Sequence, residues 1–273
     1  MGNLRKSIEK TVVVSVSGGK DSSLTLALAL ERYRASCIPV IAVFCDTGWE
    51  HPLTYSYLDE LERALRIRII RIGRKGGMRA LLEKKGIFPS FRKRFCTRLL
   101  KTDLFRDFLI KLHKELSFEE VEVWTGVRKE ESPSREDTED FRLPAGVSHP
   151  KNGLKYPFPV SYIYPIKDLT KEEVFKELRK RNIPINPLYQ MGFDRVGCYP
   201  CLASSRSIVQ VIKASLKGDE FSKKRVEEIK EIAGNLNKQV HPNYTLSQLI
   251  KRAQRELRDE ENRRKMLNLP LEF

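Results

Sequence analysis

Acidic residues are in short supply in this chain of 273 residues: 36 Asp and Glu face 51 Lys and Arg, for a formal net charge of +15. Cysteines number only five, Cys37, Cys45, Cys96, Cys198 and Cys201. With no secretion signal beside them they point away from a disulfide framework. No run of about 18 apolar residues occurs, which argues against a membrane-spanning helix. The opening Met1-Gly2-Asn3-Leu4-Arg5-Lys6 leads into Ser7-Ile8-Glu9-Lys10 with no apolar core, so no secretory leader is expected. Lys6 stands where acylation at Gly2 would want Ser or Thr. Internal repeats and low-complexity tracts are missing too. A cytoplasmic protein with no membrane partner is the expectation from these absences; they leave its oligomeric state open.

What is present suits one large domain or a domain with an appendage. The hydrophobic fraction is 40%, enough for a sizeable core, and 32% of the residues are charged. The basic excess is local. Residues 63–111 hold 16 Lys and Arg against three acids, Glu83, Asp103 and Asp107, an excess of 13 charges. Such a stretch is either a face for a polyanionic partner or a densely ionic surface of the thermophile kind.

Thr11-Val12-Val13-Val14-Ser15-Val16 is a continuous apolar, β-branched run and reads as a buried parallel strand. Residues 22–35 follow as a helix, 38–44 as a second buried strand, and 51–65 as a helix with Leu58, Leu61 and Leu65 on one stripe. Residues 67–72 form a third strand, and Arg68 and Arg71 suggest a sheet edge. A fourth strand covers 121–125. Strand and helix in alternation predict a doubly wound parallel α/β sheet. Residues 126–164, rich in Pro, Ser, Gly and charge, read as a long functional loop or lid. Residues 171–181 form a short helix with Thr170 as N-cap. Residues 183–201 are irregular and the remainder is a helical extension. There Leu246, Leu249, Ile250, Ala253 and Leu257 make a buried stripe. Cys37 and Cys45 flank a strand and are expected as buried small hydrophobes. His113, His149 and His241 read as surface residues.

Ser17-Gly18-Gly19-Lys20-Asp21-Ser22 joins the first strand to its helix. Gly18 and Gly19 allow a tight turn and close approach of a ligand. The first amides of the helix lack intrahelical partners and, with the helix dipole, make an anion site. Lys20 adds a full charge, and Ser17 and Ser22 offer hydroxyls to phosphate oxygens. Asp21 beside phosphate makes sense as a metal holder or as a cap. The spacing is neither the Walker P-loop nor the dinucleotide fingerprint.

The turn resembles the pyrophosphatase loop of the N-type ATP pyrophosphatases. Phe44-Cys45-Asp46-Thr47-Gly48-Trp49-Glu50-His51-Pro52 is similar to the second-strand motif of the phosphoadenosine-phosphosulfate (PAPS) reductase family. So are Thr125-Gly126-Val127-Arg128-Lys129-Glu130-Glu131-Ser132 with Arg135, then Asn186-Pro187-Leu188-Tyr189, Gly192-Phe193 and Gly197-Cys198-Tyr199-Pro200-Cys201. The resemblance implies an adenine nucleotide α-hydrolase-like fold, with a nucleotide-binding α/β domain over residues 1–168. A segment over 169–273 would then carry Cys-x-x-Cys and the helical extension. It implies that Ser17, Gly18, Gly19, Lys20, Asp21 and Ser22 bind phosphates, with Lys20 and Asp21 catalytic. Asp46, Thr47 and His51 would lie near the nucleotide, and Gly126, Arg128 and Arg135 across from the phosphates. Bidentate arginine suits phosphate, although either arginine could instead form a loop ion pair with Glu131 or Asp137.

A Cys-x-x-Cys pair with a distant third cysteine points to metal or redox chemistry. In cluster-bearing relatives a cysteine near Cys96 joins the later pair on a [4Fe-4S] cluster, so the resemblance implies Cys96, Cys198 and Cys201 as ligands. Sulfonucleotide reductases use an adjacent cysteine pair there, whereas Phe95 and Thr97 flank Cys96 in this chain. Zinc with a fourth ligand and a free redox pair stay open. Those reductases also carry a nucleophilic cysteine near the C-terminus, and none follows Cys201, which puts the reductase role in doubt.

The expected function is therefore an ATP pyrophosphatase that uses ATP with Mg²⁺ to adenylate a substrate for sulfur transfer. The acceptor is expected to be a nucleic acid, as in DNA phosphorothioation or tRNA thiolation, with a cysteine desulfurase as the sulfur source. The alternatives are an oxidoreductase releasing sulfite from PAPS or adenylyl sulfate, and a non-catalytic nucleotide- or nucleic-acid-binding module. Lys20 beside Asp21 speaks against a dead site. Phe88, Phe91 and Phe95 interleave with Arg92, Lys93, Arg94 and Arg98. They are candidates for base stacking, with core packing expected for at least two of them.

Overall fold

The computed structural model describes residues 8–266, so the leader and acylation expectations for residues 1–7 lie outside the described residues. The chain runs β1 (Ile8–Val16), α1 (Lys20–Tyr33), β2 (Val40–Asp46), α2 (Pro52–Leu65), β3 (Ile69–Gly73) and α3 (Gly77–Lys85). A short turn of helix α4 (Phe95–Thr97) passes through a π-helical segment (Arg98–Thr102) into α5 (Asp103–Leu116). Then come β4 (Phe118–Thr125), β5 (Phe141–Leu143), β6 (Val160–Ile163), α6 (Lys171–Lys180), α7 (Ser205–Leu216), α8 (Glu220–Leu236) and α9 (Leu246–Met266).

The six strands form one sheet in the order β3-β2-β1-β4-β6-β5. Every neighbouring pair is parallel except β5 with β6. This is the α/β architecture expected from the alternation of elements. The unbroken apolar run of β1 follows from burial on both faces. Val12, Val14 and Val16 pack in one core with Leu24, Leu58 and Leu61, while Val13 points to the other face with Leu109 and Val121. β3 is at the edge, as its arginines suggested, and Arg71 pairs there with Asp59 of α2.

The stretch 126–164 is only partly a loop. β6 inserts beside β4, with Val121 opposite Val160 and Val123 opposite Tyr162, and Leu154, Tyr156 and Phe158 are buried. β6 supplies the second neighbour that the buried strand β4 needs, and β5 covers its far edge, which limits exposed backbone donors and acceptors. His149, expected on the surface, is buried between Phe141 and Tyr162. Cys37, expected to be buried, is exposed in the loop before β2, whereas Cys45 is half-buried.

Thr170 caps α6 in a capping box with Glu173, and Val174 and Leu178 pack in the same core as α1. The C-terminal helices build a third core around Trp49, Met78, Leu82 and Leu100. The stripe on α9 takes part through Leu246, Leu249, Ile250 and Ala253, and Leu257 is half-buried beyond them. Among the described residues no helix is long and apolar enough to cross a membrane.

Candidate active site

β1 and β4 lie side by side, yet the chain leaves them toward opposite ends of the sheet. Ligands of doubly wound sheets settle at the carboxyl ends of strands where the order reverses in this way. The Ser17–Ser22 turn stands at that point. Gly18 has φ +76°, which L side chains rarely adopt, and a Cβ there would lie 2.7 Å from Thr54. Gly126, at the end of β4, sits so close to the start of α1 that a Cβ would come 2.6 Å from the Asp21 carbonyl carbon and 2.8 Å from the Ser22 nitrogen. The Ser22 hydroxyl accepts from the Ser17 amide (3.0 Å) and donates to the Gly19 carbonyl (3.0 Å), and the Ser17 and Ser22 hydroxyls are 3.1 Å apart. The Gly19 side offers α1 no side-chain cap; the Lys20 amide is taken by the Tyr189 hydroxyl, and the amides that follow it in the first turn are the ones left for a ligand.

The stretch Asn186-Pro187-Leu188-Tyr189 braces this turn from below. Asn186 donates to the Gly18 carbonyl (3.0 Å), and the Tyr189 hydroxyl accepts from the Lys20 amide (3.0 Å). The sequence motif was visible, but its bracing role was not, since it acts across 168 residues of chain.

The turn lines a cavity of about 180 Å³ together with Thr125, Gly126, Glu131, Arg135, Tyr189 and Arg195. Lys20 is 4% exposed. Burial lowers its pKa, and the Asp21 carboxylate 2.5 Å away works against that shift. Asp21 also accepts from the buried Arg128 (2.7 Å), which in turn pairs with Glu130. Glu131 pairs with Arg135 and, at 2.9 Å, with Arg195. Both arginine alternatives thus coexist: Arg135 lines the cavity and is paired with Glu131. Burial, then the charges of Arg195 and Arg94, lowers the Arg135 pKa, which marks a surplus of positive charge. Arg195 was not anticipated; only its place just after Gly192-Phe193 hinted at it.

Lys20, Asp21, Gly126 and Arg135 are thus brought together, with Arg128 bound to Asp21 behind them. Asp46 and Thr47 are not on the cavity wall. Asp46 accepts from the Gly48 amide and the Tyr55 hydroxyl (both 2.8 Å), and buried Thr47 donates to Glu50 (2.6 Å). His51 caps α2 and packs against Tyr199 and Phe221. Beside the first cavity lies a second of about 250 Å³, which shares Ser15, Thr125 and Val127 with it. It is lined by Cys45, Lys101, Phe105 and the rings of Tyr156, Tyr162 and Tyr164.

The cysteine segment docks on the end of β2. The Tyr199 amide donates to the Trp49 carbonyl (2.7 Å), Glu50 and Cys198 form an antiparallel bridge, and the Cys198 sulfur is 3.6 Å from the Thr47 hydroxyl. Burial raises the pKa of both Cys198 and Cys96; Lys101 opposes the shift at Cys198, and the charges of Cys198 and Cys201 add to it at Cys96. Lys101, on the π segment, has its pKa raised chiefly by Cys198 and then by Glu50 and Cys45. The three expected ligand cysteines are therefore electrical neighbours. Even so, among the described residues no three His, Cys, Asp or Glu side chains gather to hold a metal ion. They do not form a ready-made centre for a cluster or zinc. The carboxylates of Asp21 and Glu131 are likewise engaged by cations.

Part of the basic stretch 63–111 is paired with acids. Arg79 pairs with Glu228 and Glu231 of α8, Arg106 with Asp107, and Lys111 approaches Glu115. Of the three phenylalanines, Phe88 is buried, Phe95 packs against the Trp49 core, and Phe91 is exposed.

Known proteins resemble this chain in sequence and in fold. An uncharacterized 37.8 kDa protein of Escherichia phage 186 is 33% identical over 73% of this chain and 69% of its own length. Adenosine 5'-phosphosulfate reductase of Pseudomonas aeruginosa is 29% identical, over 69% of this chain and 65% of the reductase, so the chain spans just under two thirds of that relative. Among solved structures, a tRNA thiolase from Methanococcus maripaludis with its [4Fe-4S] cluster is similar at TM-score 0.43 and 16% identity, covering 94% of this chain and 75% of that one. The phosphoadenosine phosphosulfate reductase domain profile matches residues 11–204, well over half the sequence, and the chain belongs to that family.

Proposed function

We propose that this chain is an ATP pyrophosphatase that adenylates an acceptor for sulfur transfer, the acceptor being a nucleic acid. The observation that carries this reading is the pair of joined cavities at the ends of β1 and β4. One is small, cationic and floored by a helix N-terminus; the other is aromatic and shares its wall. A nucleoside triphosphate has that division, with phosphates for the first and a nucleoside for the second.

In this reading an acceptor oxygen attacks the α-phosphorus. The bond to the bridging β-oxygen breaks, and pyrophosphate leaves with its charge met by Lys20, Arg135 and Arg195. Arg128 holds Asp21 and so fixes Lys20. The gain comes from positioning and from fixed charge in a partly dry site. A persulfide, supplied by a cysteine desulfurase, then attacks the activated atom with its terminal sulfur, and AMP departs with the acceptor oxygen. A second thiol attacks the resulting disulfide, leaving sulfur on the acceptor and the two thiols oxidised to a disulfide. Cys198, 3.6 Å from the Thr47 hydroxyl at the end of β2, and Cys201 form the thiol pair that would serve this step, while Cys45 lines the second cavity itself. Cys96, Cys198 and Cys201 would also be the ligands of an iron–sulfur cluster, and no step above depends on one.

The similarity to adenosine 5'-phosphosulfate reductase favours one alternative, reduction of adenylyl sulfate to sulfite. The two separate in one assay on anaerobically purified protein. The pyrophosphatase releases AMP and pyrophosphate from ATP in the presence of tRNA or DNA. Lys20→Ala lowers that rate by about 10²–10³-fold. Sulfite release from adenylyl sulfate plus a thiol, with no turnover of ATP, would overturn the proposal.

A further inference from the structure

Residues 88–94 form a small platform whose Arg94 lies within charge range of Arg135, a residue of the phosphate cavity. The Ser90 and Lys93 backbones bond reciprocally, Ser90 amide to Lys93 carbonyl at 3.3 Å and Lys93 amide to Ser90 carbonyl at 3.1 Å, and the Ser90 hydroxyl accepts from the Lys93 amide as well (3.1 Å). Phe88 on one side and Phe95 on the other are anchored in the Trp49 core. The turn is therefore closed and tied down at both ends, and its tip is not slack chain.

At that tip Phe91 is 76% exposed. A large apolar ring held outward in this way is costly to hydrate unless something covers it. The Arg94 guanidinium lies 4.7 Å from the ring centroid, so one side of the ring carries a cation. Arg92 and Lys93 are exposed, and neither has an acidic partner among the described residues. Arg94 stands near enough to Arg135 for its charge to bear on it, as does Arg195, and Arg135 and Arg195 both line the phosphate cavity. Cations from three separated segments thus run from the exposed ring to the cavity, with Glu131 the acid that pairs with two of them. Elsewhere in 63–111, Arg71, Arg79, Arg106 and Lys111 face acids. Arg92, Lys93 and Arg94, which have no such partner among the described residues, are the cations of that stretch that stand beside the exposed ring.

We propose that residues 91–94 dock an unpaired polynucleotide strand, with a base stacked on Phe91 and the backbone phosphates following Arg94 and Arg195 toward the cavity. This rests on the proposed nucleic-acid acceptor and places its binding surface. An aromatic ring paired with cations takes any base by its face and tracks phosphates by charge. A duplex keeps its bases stacked inside and cannot use the ring.

Fluorescence anisotropy with labelled 12-nucleotide single strands of DNA and of RNA, and with a duplex, tests the surface on the full chain. ATP affinity is measured in parallel by calorimetry. Phe91→Ala is expected to weaken single-strand binding about 10-fold and to leave ATP affinity unchanged. Arg94→Met is expected to weaken binding and make the plot of log K against log salt shallower by about 0.7. Lys111→Ala, on the remote helix α5, serves as the control and is expected to match wild type. The DNA and RNA arms report which sugar the strand carries, and tighter binding of either single strand than of duplex supports the surface. Equal binding of duplex and single strands, or no effect of Phe91→Ala, would overturn it while ATP-dependent pyrophosphate release still stood. Loss of ATP binding in wild type would instead sink the pyrophosphatase reading.

Discussion

The phosphate turn and the cysteine segment both sit at the carboxyl end of the sheet, yet they are held there by different means. The turn is shaped mainly by backbone. Gly18 takes a left-handed conformation, Gly126 lets two backbones touch, and the hydroxyls of Ser22 and Ser23 bond to the Gly19 carbonyl. The cysteine segment is held by side chains from outside the sheet. The Arg225 guanidinium of α8 lies 3.8 Å from the Trp49 ring centroid, and the hydroxyls of Tyr199 and Ser222 are 2.7 Å apart. A site built from strand ends is as rigid as the sheet. A site clamped by appended helices is as rigid as their packing. The two should therefore fail separately.

Removing the clamp gives the largest effect. Trp49 is fully buried among residues from four helices, and Trp49→Ala is expected to cost about 3–5 kcal/mol of stability, read by denaturant unfolding. Native-state hydrogen exchange should show α8 opening more often while ATP affinity stays within a few-fold. A uniform loss across the sheet would mean the two regions are one unit. The converse substitution is Gly126→Ala. Its methyl would meet the backbone of Asp21 and Ser22, with an overpacking cost of about 1–3 kcal/mol. Because the strain falls on the turn, ATP affinity is expected to fall by about 10-fold or more in calorimetry, with α8 exchange unchanged.

Acid gives the smallest effect. Burial lowers the pKa of His51 and of His149. The folded state therefore binds fewer protons than the unfolded chain once pH drops below about 6.5. The stability owed to the neutral rings is whole above that pH and is lost as pH falls toward the lowered folded values. His51 touches Tyr199, Phe221 and Asp219 on the clamp side. Between pH 7.5 and 5.5 the melting temperature is expected to drop by about 2–4 °C, with Trp49 fluorescence changing first. His51→Gln should flatten part of that slope; an unchanged profile would remove His51 from the account.

The sequence announced the turn plainly because its determinants are local: a β-branched run, two glycines and a lysine at the mouth of an apolar helix. The edge position of β3 was equally legible from Arg68 and Arg71, since a central strand has no room for them. β6 escaped notice because it is four residues long and follows a proline, and its pairing with β4 is decided by position in the sheet. Arg195 reaches the cavity, and Arg94 the neighbourhood of Arg135, only through tertiary packing, so no spacing rule reveals them. The count of basic residues in 63–111 was correct, but linear density carries no information about which charges face α8, which face solvent and which face the ligand. The same limit applies to the cysteines, whose spacing suggested ligands without fixing their distances.

The π segment at Arg98–Thr102 can be regarded as a register shift written into the chain. A π turn is equivalent to an α-helix that has accepted one extra residue, and each residue turns an α-helix by about 100°. Before and within the segment, Phe95 and Leu99 face the Trp49 core; after it, Leu109 and Leu112 face the sheet beside Val13. The Lys101 carbonyl, left turned toward β2, accepts from the Cys45 thiol at 3.8 Å. Deleting a single residue there would let the helix run on as regular α and would rotate everything downstream by a quarter turn or more. Within such a lineage the segment should tolerate substitution far better than a gap. A one-residue indel here would separate chains that keep a lysine beside the cysteines from chains that do not.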